Sequence, residues 1–202
     1  MANHVVNIVK FKGAPDRIQE LRAFIANAKG GFVAIDFDKI APMPAELNVE
    51  AGLEATVAEN EVYGRKHWLD ASDSRINQDL LARCRENVKK YGAASWYRWN
   101  IENWGTKWNA YSQEEIEPHI IQFETAWSTP VRALESLSEK FPDVEIEVAY
   151  ADEDIGRNCG RYTIEDGEVT GEWKPRPKSA TEFAVKTWGY DLDEWRAQQE
   201  EE

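Results

Sequence analysis

Four of the nine tryptophans, Trp96, Trp99, Trp104 and Trp108, fall within the stretch SWYRWNIENWGTKWNAY at 95–111. If 94–104 is helical, Trp96, Asn100, Asn103 and Trp104 are neighbours at spacings of three and four, and Trp99 opens an adjacent row. Gly105 is then the left-handed residue that ends the helix. Lys107 and Trp108 project from the turn that follows. An ammonium beside indole faces suits an aromatic ring, a base or an anionic group. Asn103 and Thr106 add polar groups among the rings. Core packing is the competing account, because a small sheet under a helical cover uses large rings as filler. It suits Trp96 and Trp99 better than Trp104, Lys107 and Trp108.

Signatures of known chemistries are missing. The three histidines, His4, His67 and His119, are scattered, with no HxxxH, HxH or CxxC spacing for a metal. There is no G-x-S-x-G, Walker loop or GxGxxG. Composition leaves a Cys159–His119 pair open, with no local motif behind it. Asp36, Asp38 and Glu124 lie at strand ends or in a following loop, where acids and bases often work. Surface carboxylates are the commoner explanation in so acidic a chain. The reading leans against an enzyme and expects no catalytic residue, metal or cofactor.

Charge is more informative. The chain has 24 Lys and Arg against 37 Asp and Glu, a net charge of −13. Residues 113–170 hold 15 acidic and 4 basic side chains, −11, whereas the remainder holds 22 and 20, −2. Such a region repels a phosphate backbone, which disfavours direct nucleic-acid binding. It is either a solvated face or a face that docks onto a basic partner through Glu145, Glu147, Asp152, Glu153 and Asp154. No run of about 18 apolar residues exists to span a membrane. The start, MANHVVNIVKFKGAPDR, lacks a signal-peptide pattern. With Cys84 and Cys159 in unrelated contexts, reduced thiols and a cytoplasmic location are expected.

The elements that would position these groups follow from periodicity. HVVNIVKF (4–11) reads as a strand. APDRIQELRAFIANAKGG (14–31) reads as a helix with Ile18, Leu21, Phe24 and Ile25 in a stripe, Pro15 near its start and Gly30 and Gly31 after it. FVAIDF (32–37) reads as a second strand, ended by the loop with Pro42 and Pro44. From about 45 to 111 the pattern is helical, irregular around Gly64 but clear at Ile76, Leu80, Leu81, Cys84 and Val88. HIIQFETAW (119–127) is a strand, and STPVRALESLSEKFPD is a helix with Ser128 or Thr129 as N-cap. VEIEVAYAD alternates, so Val144, Ile146, Val148 and Tyr150 point inward and Glu145 and Glu147 outward. Asp166-Gly167 marks a hairpin within GRYTIEDGEVTGEW.

Two β-α-β units, at 4–37 and 119–151, predict a ferredoxin-like α+β sheet with a C-terminal hairpin extension and a helical insertion. A single integrated domain over 1–202 is expected. Its sheet-forming parts are 4–44 and 112–175, the insertion is 45–111, and 176–202 forms helices and an acidic tail.

IDFDKIAPMP (35–44), NWGTKWNAY (103–111) and FETAWSTPVRALESLSEKFP (123–142), in that order, resemble the YubB-like family. These are phage- and plasmid-borne proteins with a ferredoxin-like domain and no assigned reaction. The resemblance covers most of 4–170. It rests on Asp36, Pro42, Pro44, Asn103, Trp104, Gly105, Thr106, Lys107, Trp108, Thr125, Ala126, Trp127 and Pro130. It implies the fold and a mobile-element origin, and it carries over no catalytic residue.

Two functions are expected from these readings. The first is an acidic interaction protein of a phage or plasmid. It would bind a host protein with a basic surface, such as a defence component, by mimicking a nucleic-acid backbone. The second is a pocket for a nucleotide-like ligand, or a catalytic pocket, built from Asp36, Asn103, Trp104, Thr106, Lys107, Trp108 and Trp127. Stacking of single-stranded nucleic acid on the sheet is a third reading, opposed by the charge and by the lack of an RNA-binding signature.

Overall fold

Strand β1 (His4–Lys12) sits in the middle of a six-stranded antiparallel sheet, where Val5, Val9 and Phe11 are buried on one face and Val6 on the other. A computed structural model describes residues 2–26, 34–64 and 70–201. In chain order β1 is followed by α1 (Pro15–Ile25), α2 (Phe37–Ile40), α3 (Leu53–Tyr63), α4 (Gln78–Tyr91) and α5 (Trp96–Trp104). Then come β2 (Tyr111–Glu117), β3 (Ile120–Ala126), α6 (Val131–Lys140), β4 (Glu145–Asp152), β5 (Cys159–Glu165) and β6 (Glu168–Trp173). Helices α7 (Pro177–Thr187) and α8 (Leu192–Glu201) complete the series.

The sheet order is β2-β3-β1-β4-β5-β6. Its first four strands have the ferredoxin-like arrangement, and the β5–β6 hairpin extends it beyond β4 as the Asp166-Gly167 signal predicts. The fold is therefore α+β and ferredoxin-like. Residues 1–41 with 104–202 form one unit, and residues 42–103 form another.

One predicted strand is corrected. Residues 34–36 form no strand and Phe37 opens α2; residues 32 and 33 lie outside the described residues. The strand that closes the first β-α-β unit is β2, reached only after the whole helical insertion. Its sequence, YSQEEIE, shows no apolar alternation because an edge strand with wet faces needs none. Ile35 is buried beside it without a backbone ladder. Gln113 supplies the pairing from its side chain: Oε1 accepts from Ile35 N at 2.8 Å, and Nε2 donates to Ile35 O at 3.0 Å.

The N-cap of α6 is also corrected. Pro130 occupies that position, and neither Ser128 nor Thr129 caps the helix. Ser128 Oγ donates instead to Gly105 O at 2.6 Å, and the Thr129 hydroxyl pairs with the Tyr162 hydroxyl at 2.6 Å. Tertiary partners have claimed both hydroxyls.

In the sheet-bearing unit, α6 lies against β4 and β5 and meets α1 through Phe24 and Phe141, whose ring centroids are 5.7 Å apart. Leu21, Ile25, Phe123, Leu134, Leu137 and Ile146 are fully buried there. Each such side chain contributes about 1.5–3 kcal/mol on burial. On the other face, Ala180 and Ala184 of α7 cover the row Val6, Ala151 and Cys159. The 42–103 unit packs α3 against α4 through Val57, Ala58, Leu81, Cys84 and Val88. Gly64 and Gly92 end these helices in the left-handed conformation.

Candidate functional site

The first and second sequence motifs meet through partly buried polar contacts. Asp36 caps α2 by accepting from Asp38 N at 3.0 Å, and the same Oδ1 accepts from Asn109 Nδ2 at 2.6 Å. Asn109 Oδ1 accepts in turn from Phe37 N at 2.9 Å. Trp104 is 5% exposed; its ring lies 5.9 Å from that of Phe37, and its indole N–H donates to Ala41 O at 2.9 Å. Asp36 and Trp104 thus both hold α2 in place. Asn103 Nδ2 donates back to Trp99 O at 2.9 Å within α5.

The second and third motifs are joined by a chain of hydroxyls. Gly105 has φ 82°, and a Cβ there would lie 3.2 Å from the backbone nitrogens of Val131 and Arg132 at the start of α6. Only glycine meets both demands. Thr106 is 1% exposed and donates to Ala126 O at 2.8 Å. Thr125 Oγ1 donates to Ser128 O at 2.8 Å and accepts from Asn7 Nδ2 at 2.9 Å. Thr106 is therefore spent on holding the turn.

That turn presents what remains of the predicted pocket. Lys107 Nζ lies 4.6 Å from the ring centroid of Trp108 and 4.6 Å from that of Trp127. The two indoles are 40% and 41% exposed. Each cation–ring contact is worth about 0.5–1 kcal/mol at such a site. Trp127 has φ 71°, a costly conformation for a bulky residue. Its N–H donates to Asn3 O at 2.9 Å, and its carbonyl accepts from Asn158 Nδ2 at 3.1 Å. Lys107, Trp108 and Trp127 form a partly exposed aromatic platform.

Beside it lies a group of which sequence reading singled out Glu124 as an acid-base candidate but missed its partners Tyr111 and His4. Tyr111, Glu124 and Val6 share one cross-strand row. The Tyr111 hydroxyl is 2.8 Å from His4 Nδ1, which lies 3.3 Å from Glu124 Oε2, and the Tyr111 ring meets Trp108 at 6.4 Å. Burial, with the charges of Glu124 and Glu153, pushes the Tyr111 phenol up to about 12. Tyr111 and Asn109 belong to the same NWGTKWNAY stretch, the one signal that could have found them. His4 enters only through strand pairing.

The five acidic residues of the predicted docking face do not lie together. Glu145 and Glu147 both pair with Lys12, at 2.9 and 2.6 Å. Glu153 lies six residues beyond Glu147, roughly 20 Å along an extended chain. Asp152 is 5% exposed and accepts from Asn3 Nδ2 at 3.2 Å, Asp154 N at 2.9 Å and Asn158 Nδ2 at 3.2 Å. Glu153 and Asp154 are exposed, and Asp154 pairs with Arg157 at 3.5 Å.

The Cys159–His119 pair does not form. Cys159 on β5 is level with Val6, whereas His119 precedes Ile120 on β3, three strands from β5 and level with Lys10. Burial also pushes the Cys159 thiol up, away from reactive thiolate. Among the described residues, no group of three or more His, Cys, Asp or Glu side chains could hold a metal ion, and no helix is long and apolar enough to cross a membrane. His67 lies outside the described residues.

Strand order and helix placement define a ferredoxin-like α+β protein. Residues 104–194, which carry the aromatic platform, match the family described as the ferredoxin-like domain in Api92-like protein. The crystal structure of a protein api92 from Yersinia pseudotuberculosis aligns with 88% of this chain and 100% of its own, at 12% identity and a TM-score of 0.40. No curated protein matches the chain.

Proposed function

We propose that this chain is a non-catalytic interaction protein of a phage or plasmid, akin to the YubB-like family, that binds a host protein with a basic surface. A defence component is one such host protein. The observation that carries this reading is the pair of exposed indoles set around Lys107, at the sheet end that also bears Glu153 and Asp154. Partly exposed tryptophans beside a cation resemble the few anchors that dominate protein interfaces. Exposed carboxylates there would steer a basic partner. The contact surface is narrower than the sequence suggests, because Lys12 pairs with both Glu145 and Glu147 and offsets half of their charge. Mimicry of a phosphate backbone by the length of β4 is correspondingly disfavoured.

The test is capture from bacterial lysate at low and physiological salt, comparing the wild-type chain with a Trp108→Ala/Trp127→Ala variant. A protein retained by the first and lost by the second supports the reading. No retained protein, or an identical set with both, overturns it.

A ligand site at the platform is the second reading, favoured by the ammonium set between two ring faces. Saturable quenching of tryptophan emission by a nucleotide, lost in Lys107→Ala, would establish it.

A further inference from the structure

A second aromatic cluster lies on the same unit, where the segment after β4 faces the corner between α7 and α8. A cleft of about 550 Å³ opens there, walled by the rings of Trp188, Tyr190 and Trp195 and by the carboxylates of Glu153, Asp191 and Glu194. We propose that this cleft takes an arginine side chain from a basic segment of the partner protein. The proposal rests on the interaction reading above and names the chemistry by which the partner is held.

The walls are fixed. Trp188 donates its indole N–H to Asp152 O at 3.0 Å, and Tyr190 N donates to Val185 O at 3.0 Å. The Trp188 and Tyr190 rings lie within 10° of parallel, with centroids 6.0 Å apart. Asp191 Oδ1 accepts from Asp193 N and Glu194 N, both at 2.9 Å, which anchors the start of α8 and leaves Oδ2 for a ligand.

Electrostatics select the occupant. No lysine, arginine or histidine lines the cleft. Among the described residues Glu153, Asp191 and Glu194 form no ion pair, unlike Glu145, Glu147 and Asp154. Ring faces and uncompensated carboxylates both attract a cation. A guanidinium is flat, stacks on indole and phenol, and forks onto a carboxylate, so it fits better than the compact lysine ammonium. The volume falls within the range of about 300–1,000 Å³ usual for small-ligand sites, enough for a side chain and its flanking backbone.

The probe is acetylated tri-arginine amide, titrated against the full chain by tryptophan fluorescence, with tri-lysine and tri-citrulline amides alongside. The expected result is saturable binding of tri-arginine, several-fold weaker binding of tri-lysine and none of tri-citrulline. Glu153→Gln/Glu194→Gln should weaken tri-arginine at least tenfold. Glu145→Gln/Glu147→Gln, which removes equal charge elsewhere, should leave it unchanged. Equal losses in both double variants, equal affinity for lysine and arginine, or no binding would overturn the proposal. Partner capture separates the two ideas. A partner still fully retained by Glu153→Gln/Glu194→Gln sinks the cleft and leaves the interaction reading standing. Saturable tri-arginine binding in a chain that retains no partner does the reverse.

Discussion

The indole N–H of Trp188 donates to the backbone carbonyl of Asp152 at 3.0 Å. The carboxylate of the same aspartate gathers the amides of Asn3 and Asn158, and Asn158 also donates to the carbonyl of Trp127. Exposed Trp127 after β3 and half-buried Trp188 after α7 are thereby tied to one buried residue at the end of β4. Surfaces organised before binding lose less entropy when a partner arrives. Asp152→Ala would leave three donors without their acceptor. A loss of about 1–3 kcal/mol in urea unfolding is expected, together with weaker partner binding than surface variants of equal charge show.

Position decides what each tryptophan does. Trp104→Ala should cost about 3–5 kcal/mol, since it removes a buried ring and leaves Ala41 O without its donor. Trp108→Ala should cost under about 1 kcal/mol and act on binding instead. Urea midpoints of the two variants check the contrast.

Gly105→Ala adds a Cβ 3.2 Å from two backbone nitrogens and forces a left-handed φ on alanine. Destabilisation beyond about 1 kcal/mol is expected. A neutral outcome would mean that the start of α6 can retreat, detectable as faster amide exchange at Arg132.

Charge reversal should separate the two ends of β4. Glu153→Lys/Asp154→Lys should weaken partner binding and flatten its salt dependence. Glu145→Lys/Glu147→Lys should leave binding near wild type. Lys12→Ala, which breaks exposed pairs, should change stability by less than about 1 kcal/mol.

Alkaline pH should unfold the chain early. Burial raises the phenols of Tyr111, to about 12, and of Tyr150 and Tyr162. An unfolded tyrosine loses its proton near pH 10, so above that pH the unfolded chain releases protons that the folded chain still holds. Stability is therefore full below about pH 10 and falls as pH rises toward the folded values. Urea midpoints at pH 9 and pH 11 measure the drop, which Tyr111→Phe should reduce.

The sequence by itself determined the strands whose inner faces are apolar, the hairpin at Asp166-Gly167 and the glycine that ends α5. It also marked Lys107 and Trp108 as neighbours in the turn after α5, whereas their contact with Trp127 is tertiary. These features are local: alternation reports a half-buried strand, and glycine reports a left-handed backbone. Only the tertiary structure decided that β2, polar and at the edge, closes the first β-α-β unit while Ile35 pairs with the side chain of Gln113. It alone decided that Trp104, Thr106 and Asp36 are buried in contacts that hold α2 and the turn, and that Lys12 pairs with Glu145 and Glu147. It also brought Glu153 beside Trp188, Tyr190 and Trp195. Exposure and partnership depend on residues distant in the chain, and no periodicity within one segment carries that information.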